Sequence, residues 1–327
     1  MRVLNKLIRL IIIGFIAFAT VKITTFGWNF FTPGTNAEPQ IVELRDRLRA
    51  HVCKLSEEIG DRNLSSYNKL VETAQYITRQ LEHYAYKVHF QRYWIDGKEI
   101  KNIIAERKGS TTPQEIIVVG AHYDTCFNPG ADDNASGVAG LLELARFLKD
   151  KTAERTIELV FFVNEEPPFF KSEYMGSRVF AREAKRKNKN IKAVIVFDMI
   201  GYYTNEINSQ RYPPIAGLFF PNKGNYIGVF GNLKSSHLVS NVANSFKRHS
   251  AFPVQSIAFD FIPGIDFSDH WSFWQEGYQA AMVSDTAFLR HNNYHRSTDT
   301  WEKLNYEAMA CVVEGFSSVV HELVNPR

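Results

Sequence analysis

Residues Val118–Gly137 read VVGAHYDTCFNPGADDNASG, and this stretch decides the fold that we expect. It joins a short β-branched run, Glu115–Val119, to Gly137–Leu148, which has the apolar spacing of an amphipathic helix. In open α/β sheets, ligands bind beyond the carboxyl ends of the parallel strands. The stretch therefore predicts a binding site at the end of a buried strand. The ionisable residues of this connection are His122, Asp124, Asp132 and Asp133.

The composition is that of a globular protein. The chain has 327 residues, 45% of them hydrophobic and 22% charged, which is enough for one large domain. A net charge of +3 is too small to indicate a nucleic-acid partner, and the densest basic run, Lys185–Lys192, is typical of a solvated helix end. The cysteines predict neither a disulfide framework nor a CxxC zinc motif, although one pairing stays open. They are Cys53, Cys126 and Cys311.

The N-terminus has the charge pattern of an export signal. Basic residues within the first nine positions precede the apolar run Leu10–Val21. That run is shorter than the roughly 20 residues of a spanning helix, but apolar residues continue to Phe31. We expect residues 1–31 to be a signal anchor in the membrane or a cleaved signal peptide, and residues 32–40 to be a linker. Both interpretations export residues 41–327 as a single domain, whereas a cytosolic amphipathic helix is the alternative.

The rest of the chain alternates strand-like apolar runs with helical segments. Asp96-Gly97 separates two alternating runs and predicts a hairpin. Alternation over this length indicates an α/β sheet that is largely parallel in its centre. Thr204–Gly224 lacks periodicity and is expected to be a long loop. The expected helices are Ile41–Glu58, Ser65–Tyr84, Gly137–Leu148, Ser235–His249 and Lys303–Leu323. The expected strands are Lys87–Trp94, Glu99–Arg107, Glu115–Val119, Thr156–Val163, Ala193–Phe197, Tyr226–Phe230 and Gln279–Val283.

Three successive strand-like runs end in acidic or imidazole side chains. His122 and Asp124 follow the first run, Glu165 and Glu166 the second, and Asp198 the third. Parallel strands would bring these ends together at one edge of the sheet. Converging carboxylates without a cation would repel one another and lose hydration, so the set favours a metal site over ordinary capping roles. Imidazole mixed with carboxylate suits zinc or a neighbouring transition metal.

A late histidine, His295, is a second candidate imidazole ligand. Asp299 lies four residues further on and could orient it, as Asp124 could orient His122. A ligating histidine usually donates its other N–H to a carboxylate or a carbonyl. Taken alone, His295 could equally be an ordinary loop histidine. Cys126 lies close to the same loop, and we expect it to be an ordinary packed or exposed thiol.

The order of these motifs resembles one known family. H-x-D, G-A-x-D-N-x-S-G, E-E, D-M and a late H-x-x-x-D occur here in the order typical of the co-catalytic dizinc exopeptidases. That family includes bacterial leucyl aminopeptidases, glutamate carboxypeptidases and glutaminyl cyclases. The resemblance spans about residues 58–323, and it implies a helix at Tyr174–Ala181 after the E-E turn. It implies a three-layer sandwich, with helices flanking a mixed, centrally parallel β-sheet, and a peptide substrate.

The resemblance also implies a role for each motif residue. Asp133, which directly precedes N-x-S-G, would bridge two zinc ions in preference to Asp132. Glu165 would be the general base that takes a proton from the attacking water and passes it to the leaving amine. The peptide bond between Asp133 and Asn134 would be cis. The two zinc ions would be held by His122, Asp133 and Asp198, and by Asp133, Glu166 and His295.

An aromatic segment near residue 270 resembles the family's SDH segment, which lies near the substrate pocket. His270 is therefore expected to be either structural or substrate-facing. The aromatic residues that follow either line an apolar specificity pocket or belong to the core. They are Trp271, Phe273 and Trp274.

The first hypothesis for the function is an exported zinc aminopeptidase. The alternatives are a glutaminyl-peptide cyclotransferase, which is expected to use a reduced zinc site, and a non-catalytic binding module on the same scaffold. The complete five-ligand set favours two metals and hydrolysis. Serine hydrolase chemistry at Ser136 is not expected, because N-x-S-G lacks the context of a nucleophile elbow.

Overall fold

Within the described residues, 39–212, 217 and 220–326, the computed structural model holds one mixed sheet of eight strands. The strands are β1 (Lys87–Ile95), β2 (Lys98–Arg107), β3 (Thr112–His122), β4 (Arg155–Phe162), β5 (Asn190–Phe197), β6 (Ile227–Gly231), β7 (Val254–Ala258) and β8 (Ala280–Ser284). Their order across the sheet is β1-β2-β4-β3-β5-β8-β6-β7. The central neighbours β4, β3, β5 and β8 are parallel, whereas β1, β2 and β6 introduce antiparallel pairs. The predicted centrally parallel sheet is confirmed.

Helices cover both faces of this sheet. They are α1 (Pro39–Cys53), α2 (Tyr67–His83), α3 (Gly137–Leu148), α4 (Gly176–Arg186), α5 (Ser236–His249), α6 (His270–Gln275) and α7 (Tyr306–Val324). Helix α1 continues into a π-helical turn, Lys54–Ile59. Helices α1, α2, α3, α5 and α7 pack on one face, and α4 and α6 pack on the other. The result is the expected three-layer sandwich.

Strand β3 is buried on both faces, which explains its continuous apolar sequence. Ile117 and Val119 pack with the larger helical layer, whereas Val118 packs with Phe180 of α4 and Phe273 of α6. Alternate side chains of a strand point to opposite faces, so a parallel strand between two helical layers needs apolar residues at every position. This burial fixes where β3 ends and where its polar continuation begins.

Most predicted elements are confirmed, with shifts at their ends. The hairpin turns at Asp96-Gly97, where both residues have positive φ, 48° and 77°, as a tight turn between twisted strands requires. Helix α1 begins at Pro39, so the last two residues of the predicted linker are helical, because proline suits a first helical turn. Helix α2 begins at Tyr67 instead of Ser65.

Two short elements were not predicted. Strand β7 lies at the edge of the sheet and is partly exposed, so it lacks a continuous apolar run. Helix α6 has six residues, which is too short to show a helical period.

The predicted export segment, residues 1–31, lies outside the described residues. None of the described helices is both long and apolar enough to cross a membrane. Thr204–Gly224 contains no strand or α-helix in its described part. The described cysteines, Cys53, Cys126 and Cys311, are not paired in disulfides.

The helices of the larger layer meet at one buried carboxylate, Glu143 of α3. Arg47 Nε donates to Glu143 Oε1 at 3.0 Å, Arg146 Nε donates to Oε2 at 2.6 Å, and His51 Nε2 lies 3.2 Å from Oε1. Burial alone would raise the pKa of Glu143, but the hydrogen bonds from His51, Arg47 and Arg146 outweigh it and hold the pKa at about 2. The carboxylate therefore connects α1 to α3 through ionic hydrogen bonds.

Replacing Glu143 by glutamine should lower the free energy of unfolding at neutral pH by about 2 to 3 kcal/mol, because three donors lose a charged acceptor. The folded-state pKa is depressed from 4.5 to about 2. The carboxylate's contribution is therefore present above pH 4.5 and is lost as the pH falls towards 2. Urea unfolding of both proteins between pH 7 and pH 3.5 measures a difference that should shrink below pH 4.5.

The matched control is Glu58→Gln. This side chain is 59% exposed and pairs with Lys54, so its loss should change the free energy of unfolding by less than about 0.5 kcal/mol. A difference between wild type and Glu143→Gln that stays constant across the pH range would contradict the role assigned to Glu143.

Candidate active site

The carboxyl ends of three parallel strands bring the predicted ligands to one edge of the sheet. His122 is the last residue of β3, Glu165 and Glu166 follow β4, and Asp198 directly follows β5. His295 comes from the connection between β8 and α7. His122, Glu165, Glu166 and Asp198 are at most 9% exposed. The predicted ligand residues therefore lie close together at a site that is almost completely buried.

Asp133 lies between two groups of ligand atoms. Its Oδ1 atom is 3.3 Å from His122 Nε2, and its Oδ2 atom is 3.2 Å from His295 Nε2. His122 Nε2 also lies 3.7 Å from Asp198 Oδ1, and His295 Nε2 lies 3.0 Å from Glu166 Oε2. Each oxygen of Asp133 therefore faces a different pair of ligands, which is the arrangement that a carboxylate shared by two cations needs.

Several atoms of this site are buried without a hydrogen-bond partner in the described part of the chain. They include both ring nitrogens of His122, Oε1 of Glu166 and Nε2 of His295. Buried polar atoms in native proteins normally have partners. The orphaned lone pairs belong to imidazoles and carboxylates, which are ligands that zinc accepts. The residues therefore fit a pair of zinc ions.

The crowding shifts the pKa of each group. Burial raises the pKa of Glu165 well above its usual range, and burial together with the charge of Asp133 does the same to Glu166. Burial would lower the pKa of His122, but the charge of Glu165 and the close carboxylates of Asp124, Asp133 and Asp198 raise it. Burial would raise the pKa of Asp133, but the close imidazoles of His122 and His295 depress it. Protons thus provide the positive charge when no cation is bound.

The backbone at the site is unusual in three places. Asn164, Met199 and His295 have φ values of 60°, 54° and 56°. Residues other than glycine seldom adopt this left-handed region. Strain of this kind persists where the surrounding structure imposes it, which is common at functional sites.

Asn134 of the N-x-S-G motif ties the loop after β3 to the end of β5. Its Nδ2 atom donates to the Phe197 carbonyl at 2.9 Å, and its Oδ1 atom accepts from the Met199 amide at 3.2 Å. These two bonds flank Asp198 on both sides. Asn134 therefore holds Asp198 in position relative to Asp133, the residue that directly precedes Asn134 in the chain.

Ser136 and Gly137 complete the same connection. The Ser136 hydroxyl donates to the Asp132 carbonyl at 2.7 Å and accepts from the Ile200 amide at 2.9 Å. A Cβ atom on Gly137 would lie 2.2 Å from Asn134 Oδ1, so only glycine fits there. The motif residues are structural, and Ser136 is not placed as a nucleophile.

The Asp133-Asn134 peptide bond is cis, which confirms what the resemblance implies. Asp132 points away from the ligands, because its Oδ1 atom accepts from the Gly201 amide at 2.9 Å and its Oδ2 atom lies 3.3 Å from His291 Nδ1. The two adjacent aspartates therefore differ in role, with Asp133 at the site and Asp132 behind it.

Asp124 positions both glutamates through their backbone. Its two oxygens accept from the amides of Glu165 and Glu166, each at 3.1 Å. Its Oδ1 atom also lies 3.6 Å from His122 Nδ1, on the side where it was expected to orient that ring.

Asp299 has a different partner from the one expected. Its carboxylate accepts hydrogen bonds from the amides of Asp132 at 3.0 Å and of Asp133 at 3.1 Å, and these bonds position the bridging aspartate instead of orienting His295. The residues between His295 and Asp299 form a turn. Their short distance along the sequence therefore did not indicate the true partners of the Asp299 carboxylate.

Arg62, which is 1% exposed, was not among the residues predicted for the site. Burial lowers its pKa to about 10, so it stays charged at neutral pH. Its guanidinium donates to the carbonyls of Leu55, Gly60, Tyr123, Pro129 and Gly130.

Asp285, by contrast, ends a strand, and the same strand-end rule could have found it. Its oxygens accept from the amides of Tyr202 and Ala287. It therefore anchors two loops beside the site.

A cavity of about 340 Å³ opens beside the ligands. Its walls are mostly apolar, and the site carboxylates and His295 lie at one side. The large apolar side chains of the lining are Phe170, Met199, Phe230, Ile262, Ile265, Phe267, Met282, Phe288 and Leu289.

The aromatic residues predicted for this pocket lie elsewhere. Phe273 is fully buried against Phe180 and belongs to the core. His270 is fully buried with Nε2 2.7 Å from the Ile265 carbonyl, and burial lowers its pKa to about 4. Trp271 stacks under two basic side chains. None of these three residues is among the described residues that line the cavity, so the core interpretation holds for Phe273.

Comparison with known proteins supports the resemblance of the motifs. The model of "Peptidase family M28" matches residues 102–320. The chain belongs to peptidase family M28. The uncharacterised protein YfbL of Escherichia coli is 37% identical over 305 residues, which cover 89% of this chain and 93% of that protein. Leucine aminopeptidase 1 of Arthroderma otae is 27% identical over 320 residues, which cover 86% of this chain and 78% of that protein.

Solved structures share this M28 fold at low sequence identity. A zinc aminopeptidase from Bacillus subtilis has a TM-score of 0.68 and 16% identity, with 86% of this chain and 95% of that chain covered. A Bacteroides thetaiotaomicron glutaminyl cyclase bound to N-acetylhistamine has a TM-score of 0.63 and 19% identity, with 85% and 97% covered. At these identities the likeness concerns the fold alone.

Zinc should bind this M28 protein more weakly as the pH falls. The pKa values of the proposed ligands Glu166, His122 and His295 are raised, so these groups hold protons that a cation must displace. Each proton released makes the affinity fall about tenfold per pH unit. Competition with a chelating dye at pH 6, 7 and 8 measures the change.

Two variants, one at a ligand and one control, are compared in this measurement. Asp133→Asn should weaken zinc binding at both positions, whereas Asp150→Asn, whose side chain is 86% exposed, should leave it unchanged. Equal zinc affinity at pH 6 and pH 8 would show that the protonated groups are not the ligands.

Proposed function

We propose that this protein is a zinc aminopeptidase that releases apolar residues from the N-termini of peptides. The observation that carries the proposal is the bridging position of Asp133, whose two oxygens face His122 and His295 at 3.3 and 3.2 Å. The Arthroderma otae relative named leucine aminopeptidase 1 supports the same activity. Zinc held at these ligands would polarise the scissile carbonyl and lower the pKa of a water molecule.

We propose that Glu165 is the residue that moves protons. Its backbone is held by Asp124, and its Oε2 atom lies 3.9 Å from His122 Nε2, further than the other carboxylates named above. The side chain lines the cavity beside Asp133 and Glu166. A carboxylate next to the ligands, but further from the imidazoles than the ligand carboxylates are, can accept a proton from the attacking water and return it to the leaving amine.

The charges of the cavity favour a substrate with a free amine. The lining drawn from the described residues includes carboxylates and His295 but neither lysine nor arginine. A C-terminal carboxylate would be recognised by a cationic side chain, commonly a bidentate arginine. An ammonium group, in contrast, is attracted by carboxylates. This argues for an aminopeptidase over a carboxypeptidase.

The apolar wall of the cavity determines which N-terminal residue of the substrate is accepted. Phe230 and Met282 come from neighbouring strands, and Phe288 and Leu289 from the turn after β8. Such a wall stabilises an apolar side chain through burial and leaves a charged one without partners. We infer that leucine, methionine and phenylalanine are preferred at the substrate N-terminus.

Export of the domain, expected from residues 1–31, remains part of the proposal. Localising the tagged protein in cell fractions, with and without residues 1–31, tests that part independently of activity.

Glu165→Gln should lower kcat about a hundred- to ten-thousand-fold, because the amide cannot take the proton. The bound zinc should be unchanged, since the ligands stay in place. Aminoacyl, C-terminal glutamyl and N-terminal glutaminyl substrates are assayed side by side, together with metal analysis. Glu173→Gln is the matched control, because Glu173 is exposed on the same loop and should keep full activity. Cyclisation of glutaminyl substrates without hydrolysis would overturn the aminopeptidase proposal in favour of a cyclotransferase.

Leucyl substrates should exceed alanyl substrates in kcat/KM by at least about tenfold, because each extra methylene finds apolar contacts. Met282→Trp fills the cavity and should erase that preference while alanyl activity persists. Phe127→Ala alters a residue that is 60% exposed and should leave the preference intact. A preference for glutamyl or lysyl substrates is the result that would refute the apolar assignment.

A further inference from the structure

Cys126 lies beside one half of the candidate metal site. Its Sγ atom, a carboxylate oxygen of Glu166 and a ring nitrogen of His295 all lie within 4.8 Å of one another. Cys126 is half-buried and is not in a disulfide. It thus belongs geometrically with the ligands of one cation and not with the protein surface.

A second observation points to a ligand at the same place. Glu166 is 3% exposed, and its Oε1 atom has no hydrogen-bond partner among the described residues. His295 Nε2 also lacks a hydrogen-bond partner there. These orphaned atoms belong to the two residues that approach Cys126. A cation among the three would satisfy all of them.

The separations suit tetrahedral coordination. Zinc bonds of about 2.0 to 2.3 Å place neighbouring ligand atoms about 3.3 to 3.6 Å apart. His295 Nε2 already lies 3.0 Å from Glu166 Oε2 and 3.2 Å from Asp133 Oδ2. The Sγ atom lies within 4.8 Å of a carboxylate oxygen of Glu166 and of a ring nitrogen of His295.

The backbone around Cys126 is held on both sides. The Thr125 amide donates to the Arg62 carbonyl at 3.0 Å, and the Thr125 hydroxyl accepts from the Arg62 amide at 2.8 Å. On the other side, Phe127 is fixed in the left-handed region with φ of 54°. The thiol is therefore presented by a rigid loop, as a ligand must be.

We propose that Cys126 is a fourth protein ligand of the cation held by Asp133, Glu166 and His295. On binding, the thiol loses its proton to solvent and the sulfur lone pair forms the bond to the metal. The sulfur would distinguish this position from the one at His122, Asp133 and Asp198, whose ligand atoms are nitrogen and oxygen alone. The two positions therefore differ, and the softer one favours zinc or cadmium over manganese.

This inference rests on the proposed function in one respect, because it needs a cation at Glu166 and His295. The full-length metal-free protein is titrated with Co²⁺ and, separately, with Zn²⁺. We expect a sulfur-to-cobalt charge-transfer band in the near ultraviolet and protection of one of three thiols from a thiol reagent by Zn²⁺. Cys126→Ser should abolish both effects and weaken zinc binding at one position by at least about tenfold.

The matched control is the double variant Cys53→Ser, Cys311→Ser, whose cysteines lie in α1 and α7 and should not affect the band. Binding of two ions with no charge-transfer band and no protected thiol would overturn the Cys126 proposal and leave the proposed function standing. A band that survives in Cys126→Ser would overturn it as well. If wild type binds no metal, the proposed function and the Cys126 proposal both fall.

Discussion

The guanidinium of Arg62 donates hydrogen bonds to five backbone carbonyls, and the loop between β3 and α3 depends on them. Those of Leu55, Tyr123 and Gly130 are buried, so without these bonds each would lose its hydration with no replacement. The charge of Arg62 also interacts favourably with the surrounding carboxylates, first with Asp299 and then with Asp124 and Asp133. The buried guanidinium thus donates hydrogen bonds to backbone carbonyls of this loop. Its charge also offsets part of the repulsion among the nearby acidic residues.

The acidic residues at the site divide into those that face the cavity and those that hold backbone. Asp124 accepts from the amides of Glu165 and Glu166, and Asp299 accepts from the amide of Asp133. Carboxylates with two backbone donors are fixed in place and cannot turn towards a cation. Their engagement leaves the other acidic side chains free to converge. A dense acidic cluster can therefore have a definite ligand geometry, because some of its members position the others.

The strand ends were predictable because burial leaves a strong trace in sequence. The run Glu115–Val119 and the adjacent His122 could be placed without any tertiary information, since a parallel strand between helical layers must be apolar throughout. The pocket wall could not, because Phe230 and Met282 are ordinary strand residues until the sheet order brings them together. Arg62 was also invisible, since one arginine in a polar segment resembles any solvated residue. Features that form a periodic or contiguous pattern in the sequence could therefore be predicted, whereas contacts between segments that are distant in the sequence could not.

The cavity-facing ligands come from four separate segments of the chain, after β3, β4, β5 and β8. In an unfolded chain these segments are far apart, and closing such long loops costs entropy that a cation alone does not repay. A cation at these ligands would therefore bind the assembled sheet and would not template it. Because it would bind the native state and not the denatured one, it would add to the stability of the native state by mass action. The apolar strands form the fold, and metal binding would stabilise it further.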